Sequence, residues 1–211
     1  MLIVPELNCA LCPRLLMYRQ ENRAAHPDWH NAPVPSLGAL DAQFLVVGMA
    51  PGVTGANRTG RPFTGDFCGT LLYTTLIAQN FATGSYAARP DDGVTLKNCR
   101  ITNAARCVPP ANKLQPAEIA QCNSFLAGEI AAMPNLKAIL SLGGDSHKAV
   151  LKATGFKPSA VKFAHGAEHQ LPNGVTLLNS FHVSRLNTNT GRLTEKMFTT
   201  IITRAAQLLR G

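Results

Sequence analysis

No apolar run in this 211-residue chain reaches the roughly 18 residues that a membrane-spanning helix requires. The opening Met1-Leu2-Ile3-Val4-Pro5-Glu6 has neither the basic stretch nor the long apolar core of a secretion signal. These absences predict a cytoplasmic protein, nucleoid-associated if its source is prokaryotic, with no membrane partner. Acidic residues are scarce too: 12 Asp+Glu stand against 20 Lys+Arg, a formal charge of +8. Such an excess favours a polyanionic partner held through phosphate contacts, without by itself separating DNA from RNA or membrane. Six cysteines are too sparse for a disulfide scaffold, so in a reducing compartment their clustering points to metal. There is no internal repeat and no low-complexity tract. The length suits one domain, 1–211, whose core needs no staples, and a monomer is expected.

What is present alternates between strand and helix. Phe44–Gly48 is a short continuous apolar run of the kind buried on both faces of a parallel sheet. Cys99–Asn103, Leu136–Leu142 and Val175–Ser180 read as three further strands. Helices are expected over Leu15–Arg23, Gly69–Gln79, Pro116–Met133, Gly144–Thr154 and Leu193–Leu209, with a proline-bearing connector from His26 to Leu40 and a hairpin turn at Asn173-Gly174. The class is α/β, with helices on both faces of a parallel sheet. Ligands of such sheets bind beyond the carboxyl ends of the strands. Three polar segments sit there, after Val47, Thr102 and Ser180.

The first runs from Gly48-Met49-Ala50-Pro51-Gly52 into Asn57-Arg58-Thr59-Gly60-Arg61-Pro62-Phe63-Thr64-Gly65-Asp66. Its glycines and proline allow a tight turn whose N–H groups approach a ligand, and Arg58 and Arg61 are cations suited to phosphate. It has no Gly-Lys-Ser/Thr ending and is therefore not a Walker loop. The same residues also fit a long surface loop with Asp66 as helix N-cap. After the last strand, the stretch from His182 to Arg192 is polar and basic. His182 offers a donor to an oxygen gaining charge, Ser184, Arg185 and Arg192 offer phosphate contacts, and the lone apolar Leu186 fits either a wedge into the base stack or a residue tucked onto the core.

The cysteines carry a separate signal. Cys9 and Cys12 form a C-x2-C pair, and Cys107 and Cys122 follow about ninety residues on. Two such pairs can close one metal site, although Cys107 and Cys122 fit equally well as small buried side chains. Spacing does not distinguish zinc from iron–sulfur. Cys68 and Cys99 read as core.

Taken together, the Gly48–Gly52 and Asn57–Asp66 runs, the four cysteines, Thr102-Asn103-Ala104-Ala105-Arg106-Cys107 and His182-Val183-Ser184-Arg185 through Thr194 resemble the uracil-DNA glycosylase superfamily, and within it family five. The resemblance implies a three-layer αβα sandwich around a central four-stranded, mostly parallel sheet. It also implies a 4Fe-4S cluster on Cys9, Cys12, Cys107 and Cys122, and a monofunctional enzyme acting on uracil-containing DNA, single- or double-stranded. Position by position, Gly48, Met49, Ala50, Pro51 and Gly52 line the base pocket, Phe63 stacks on the extruded base and Asn103 reads its edge. Asp66 is the carboxylate that orients water or stabilises the sugar cation, and His182 contacts the O2 side of the base. Met49 stands where family four has Glu, which favours family five; Val183 stands where relatives commonly have Pro. The Arg-rich, His-bearing insert of the covalently crosslinking relatives is not evident between Gly84 and Cys99. Other readings are a strictly uracil-specific enzyme of the family-four kind, a non-enzymatic zinc module that binds nucleic acid, and an electron-transfer protein.

Overall fold

A five-residue strand inside a parallel sheet is stable only where both faces are covered. The computed structural model of the protein describes residues 2–210 and contains four such strands, each buried along its whole length. In chain order the elements are α1 (Pro13–Ala25), β1 (Phe44–Gly48), α2 (Ala56–Thr59), α3 (Phe67–Ala78), β2 (Ala82–Thr83), β3 (Thr95–Leu96), β4 (Cys99–Asn103), α4 (Pro116–Ala131), β5 (Ala138–Leu142), α5 (Gly144–Ala153), β6 (Glu168–Gln170), β7 (Thr176–Ser180), α6 (Arg185–Asn189) and α7 (Glu195–Arg210).

The main sheet runs β4-β1-β5-β7-β6. Its first four strands are parallel, and β6 pairs antiparallel to β7 across the hairpin at Asn173-Gly174. The sheet thus has five strands, one more than the sequence suggests. Glu168-His169-Gln170 carries no apolar residue, and it is a strand because β7 offers it an open edge. The two-stranded β2–β3 pair lies outside this sheet.

Side-chain alternation divides the core. Phe44, Val46, Leu140 and Leu178 pack with Leu72, Tyr73 and Leu76 of α3 and Phe198, Ile201 and Ile202 of α7. Leu45, Val47, Ile139 and Leu177 face the other way, onto Leu126 and Ile130 of α4 and Val150 of α5. Three layers result, as the sequence pattern implies. Strand order reverses at β1, which lies between β4 and β5, so the loops leaving these strands diverge and open a crevice at their carboxyl ends. Among the described residues no helix is long and apolar enough to cross a membrane.

Candidate active site

The loop after β1 and the loop after β4 are zipped together at the start of this crevice. Gly48 pairs with Asn103 in register, and the amides of Ala104 and Ala105 donate to the carbonyls of Gly48 and Met49, each at 2.9 Å. Gly48 permits the approach: a Cβ there would lie 2.3 Å from Asn103 Oδ1 and 2.5 Å from Phe63 Cζ. The β7 end contributes His182. Between these three loops lies a pocket of about 600 Å3, within the range of small-molecule sites. Met49, Ala50, Pro51 and Gly52 line one side; Phe63, Asp66, Asn103 and His182 complete it. Gly48 forms the floor behind Asn103 and Phe63. A larger groove, about 820 Å3, runs along α7 beside β6, and none of the residues singled out from the sequence lines it.

Asp66 is the N-cap of α3: its Oδ1 accepts from the Cys68 amide at 3.1 Å. The N-cap reading of this residue therefore holds; the cap fixes one oxygen, and Asp66 also lines the pocket. Oδ2 lies against bare backbone, where a Cβ on Gly55 would come within 2.2 Å and one on Gly52 within 2.8 Å. His182 leaves β7 two residues after its end. Its carbonyl accepts from Asn187 Nδ2 at 2.8 Å, which anchors the loop, and its ring lies 6.3 Å from that of Phe63. Burial lowers the imidazole pKa from its ordinary 6.5, and the nearby Asp66 carboxylate only partly opposes this. The ring is neutral at neutral pH.

Phe63 is held in an unusual backbone state, φ +52°, which costs an L side chain on the order of 1–3 kcal/mol unless its surroundings fix it. They do. Tyr73 Oη donates to the Pro62 carbonyl at 2.7 Å and Tyr86 Oη to the Phe63 carbonyl at 3.1 Å. These two rings stack at 4.8 Å, with the Arg61 guanidinium within 5.1 and 5.7 Å of their centres. Arg61 donates to Asp92 through both terminal nitrogens, at 2.7 and 2.8 Å, and to Thr64 Oγ1 at 2.7 Å. This corrects one expectation: Arg61 is a buried brace behind Phe63 and is not available to phosphate.

The other basic candidates reach the surface. Arg58, Arg185 and Arg192 are exposed, Arg185 lying 5.3 Å over Phe67 and Arg192 lying 4.4 Å over Phe181. Ser184 caps α6, accepting from the Asn187 amide at 3.5 Å. Leu186 is 72% exposed, which favours the wedge over a loop residue tucked onto the core. Sequence reasoning missed Phe67 and Cys68, which also line the pocket, and Tyr73, Tyr86 and Asp92 behind it. Phe67 and Cys68 follow a capping Asp, so the first turn of α3 was the signal for them; nothing in the sequence marks the other three.

Three polar groups meet in the pocket without partners among the described residues. Asn103 is 3% exposed, yet among the described residues its amide bonds no other group, and neither Asp66 Oδ2 nor either ring nitrogen of His182 makes a hydrogen bond. Buried polar groups are normally paired, so the buried Asn103 amide, with the half-buried Asp66 carboxylate and His182 imidazole on the same cavity, leaves that wall open to a polar ligand. The model of the Uracil DNA glycosylase superfamily matches residues 35–206, and these groups lie inside that span. The chain belongs to that superfamily. Among curated relatives, the type-5 uracil-DNA glycosylase of Thermus thermophilus is 41% identical over 206 residues, covering 95% of this chain and 93% of the relative. Those of Pyrobaculum aerophilum and Mycobacterium leprae are 39% and 38% identical, covering 95% and 97% of this chain and 88% and 95% of theirs. The crevice is thus built from three loops and one helix cap.

Apart from that crevice, Cys9, Cys12, Cys107 and Cys122 line one small pocket together with Arg19. Burial raises the thiols, Cys12 to about 11 and Cys107 to about 12, with each other's proximity adding to the effect. Among the described residues no group of three or more His, Cys, Asp or Glu side chains is arranged to hold a metal ion. The donor set nevertheless suits a group that takes up thiolates, because Arg19 is buried beside it with its Nε unpartnered. Cys99 is core, as expected; Cys68 is only half-buried at the pocket wall.

Proposed function

We propose that the protein hydrolyses the N-glycosidic bond of uracil in DNA, and of other deaminated bases such as hypoxanthine and xanthine, as the first step of base excision. The observation that carries this reading is the convergence of open Asn103, Asp66 and His182 groups around the Phe63 ring. A base in a duplex must be rotated out before it reaches such a pocket, at a cost of a few kcal/mol that is smaller for mispaired or single-stranded targets. Leu186 is the wedge that offsets this cost, and Arg58, Ser184, Arg185 and Arg192 grip phosphates.

In the pocket Phe63 stacks on the extruded base and the Asn103 amide bonds its edge. Cleavage leaves positive charge on the sugar and negative charge on the base. Asp66 Oδ2, free of its cap, stabilises the sugar cation or orients the attacking water. His182 donates to the base O2, and a neutral imidazole suits this because it gives a hydrogen bond to the developing oxyanion without needing to be charged first. Stacking plus one amide rejects related bases only weakly, which is why the wider substrate range is proposed over strict uracil specificity.

Cys9, Cys12, Cys107 and Cys122 are proposed to hold a 4Fe-4S cluster. When bound, it supplies a structural cross-link and takes no part in the hydrolysis. The chain's own contribution is to bring the segment before α1 against the loop after β4 and against α4, a junction that the Arg14 pair with Glu118, at 2.7 Å, already ties.

The test is a set of oligonucleotides carrying one uracil, hypoxanthine or xanthine, single- and double-stranded, incubated with purified protein and then treated with alkali. Strand breaks at uracil and at the purines are expected, from a brown preparation. Breaks at uracil alone would select the strict enzyme, and no breaks with a colourless, zinc-bearing protein would select the binding module.

A further inference from the structure

Arginine keeps its charge in all ordinary conditions, so a buried arginine needs a counter-charge beside it. Three of the buried arginines have one. Arg61 pairs with Asp92, and Arg100 and Arg106 both pair with Glu129. Arg19 differs. It is 1% exposed, among the largest fully buried side chains, and makes no ion pair among the described residues. Its Nη1 donates to the Leu7 carbonyl at 2.9 Å and its Nη2 to the Cys9 carbonyl, while Nε has no partner. It lines the same small pocket as Cys9, Cys12, Cys107 and Cys122.

We infer that Arg19 is the counter-cation of the four-cysteine site, and that what it supplies there is charge. The inference rests on the cluster reading above. Each thiol that binds iron gives up its proton, so a loaded site is net negative where neutral thiols stood before. A fixed cation lining that site compensates the charge that loading creates, and its bonds to the Leu7 and Cys9 carbonyls hold it in place. Arg106 also lies near Cys122, but its guanidinium is engaged by Glu129, so its charge there is partly offset, whereas that of Arg19 is not. Arg19 is therefore a positioning residue for the cluster and has no part in bond cleavage.

Two variants of the full-length protein separate charge from hydrogen bonding. Arg19→Lys keeps the cation and loses the planar fork; Arg19→Gln keeps N–H donors and loses the cation. Both are purified without air beside the wild type. Iron and acid-labile sulfide are counted per chain, iron loss to excess chelator is timed, and circular dichroism scores the fold. Outer residues of metal sites commonly change metal retention by about 10- to 100-fold. Arg19→Gln is expected to lose iron faster by about that factor, and Arg19→Lys to stay near the wild type. A Gln variant that holds iron as the wild type does would overturn the inference. So would a folded Arg19→Lys variant that loses iron about 10-fold or more faster than the wild type, and this second comparison still decides if Arg19→Gln does not fold. A wild type that purifies without iron would instead remove the cluster reading itself.

Discussion

At the scale of single residues, the position of Asp66 depends on side chains that are absent. Its Oδ2 fits only because Gly55 and Gly52 carry no Cβ. A Gly55→Ala substitution forces the carboxylate to move, and displacement of a catalytic group by about 1 Å can cost about 10²-fold. Single-turnover uracil release by Gly55→Ala should slow by roughly that factor while DNA binding is retained. His182 gives a pH prediction. Burial lowers its pKa, so the neutral donor is present above that lowered value and is lost as pH falls through it. Uracil release should stay level around neutral pH and fall as pH drops below the ordinary imidazole range. The Asp66 charge opposes the shift, so NMR titration of the imidazole in Asp66→Asn should show a still lower midpoint, and a higher one would contradict the arrangement. Asp66, Asn103 and His182 were legible in the sequence because each sits at a strand end or helix start whose position the apolar pattern fixes. Arg61 was not. A cation in a loop reads the same whether it points out or in, and its partner Asp92 is 31 residues away.

At the scale of elements, the segment carrying β2 and β3 acts as a brace. It delivers Tyr86 and Asp92 to the back of the Phe63 turn, and Gly69 of α3 lets them close, since a Cβ there would lie 2.0 Å from Tyr86 Oη. Arg61 holds the Asp92 carboxyl well below its ordinary 3.8, with amides of Ala87 and Val94 adding to the effect. Because the folded pKa is depressed, this pair contributes stability above pH 3.8 that is lost as pH falls below it. Asp92→Asn should cost about 3 kcal/mol in denaturant unfolding near neutrality, the usual scale for breaking a buried pair, and the gap to the wild type should narrow in acid. Tyr86→Phe removes only the hydroxyl on the Phe63 carbonyl and should slow uracil release; in a Phe63→Ala background the same change should have no further effect. An equal loss in both backgrounds would mean that Tyr86 does not act through the ring. Phe44–Gly48 was readable as an uninterrupted apolar run, and the other three buried strands and the five long helices were readable from the alternation of strand and helix patterns along the chain. Two-residue strands and the polar edge strand β6 carry no periodicity, and they exist only because of what they pair with.

At the scale of the whole molecule, the +8 charge is legible in composition, but its distribution is not. Folding withdraws Arg19, Arg61, Arg100 and Arg106 into the interior and leaves Arg58 and Arg185 exposed around the crevice, with Arg192 exposed on the segment after β7. DNA affinity should fall steeply with salt, and Arg185→Ala should reduce the slope of log K against log salt by about 1, whereas a buried arginine carries no such term. The central claim is that Asp66 and His182 together cleave a glycosidic bond in a pocket that binds DNA independently of them. The most direct test is single-turnover release of uracil from a single-uracil oligonucleotide by the wild type, Asp66→Ala and His182→Ala, with DNA binding measured on the same samples. The account predicts release slower by about 10² to 10³ in each variant with binding preserved; release at the wild-type rate from either variant would contradict it.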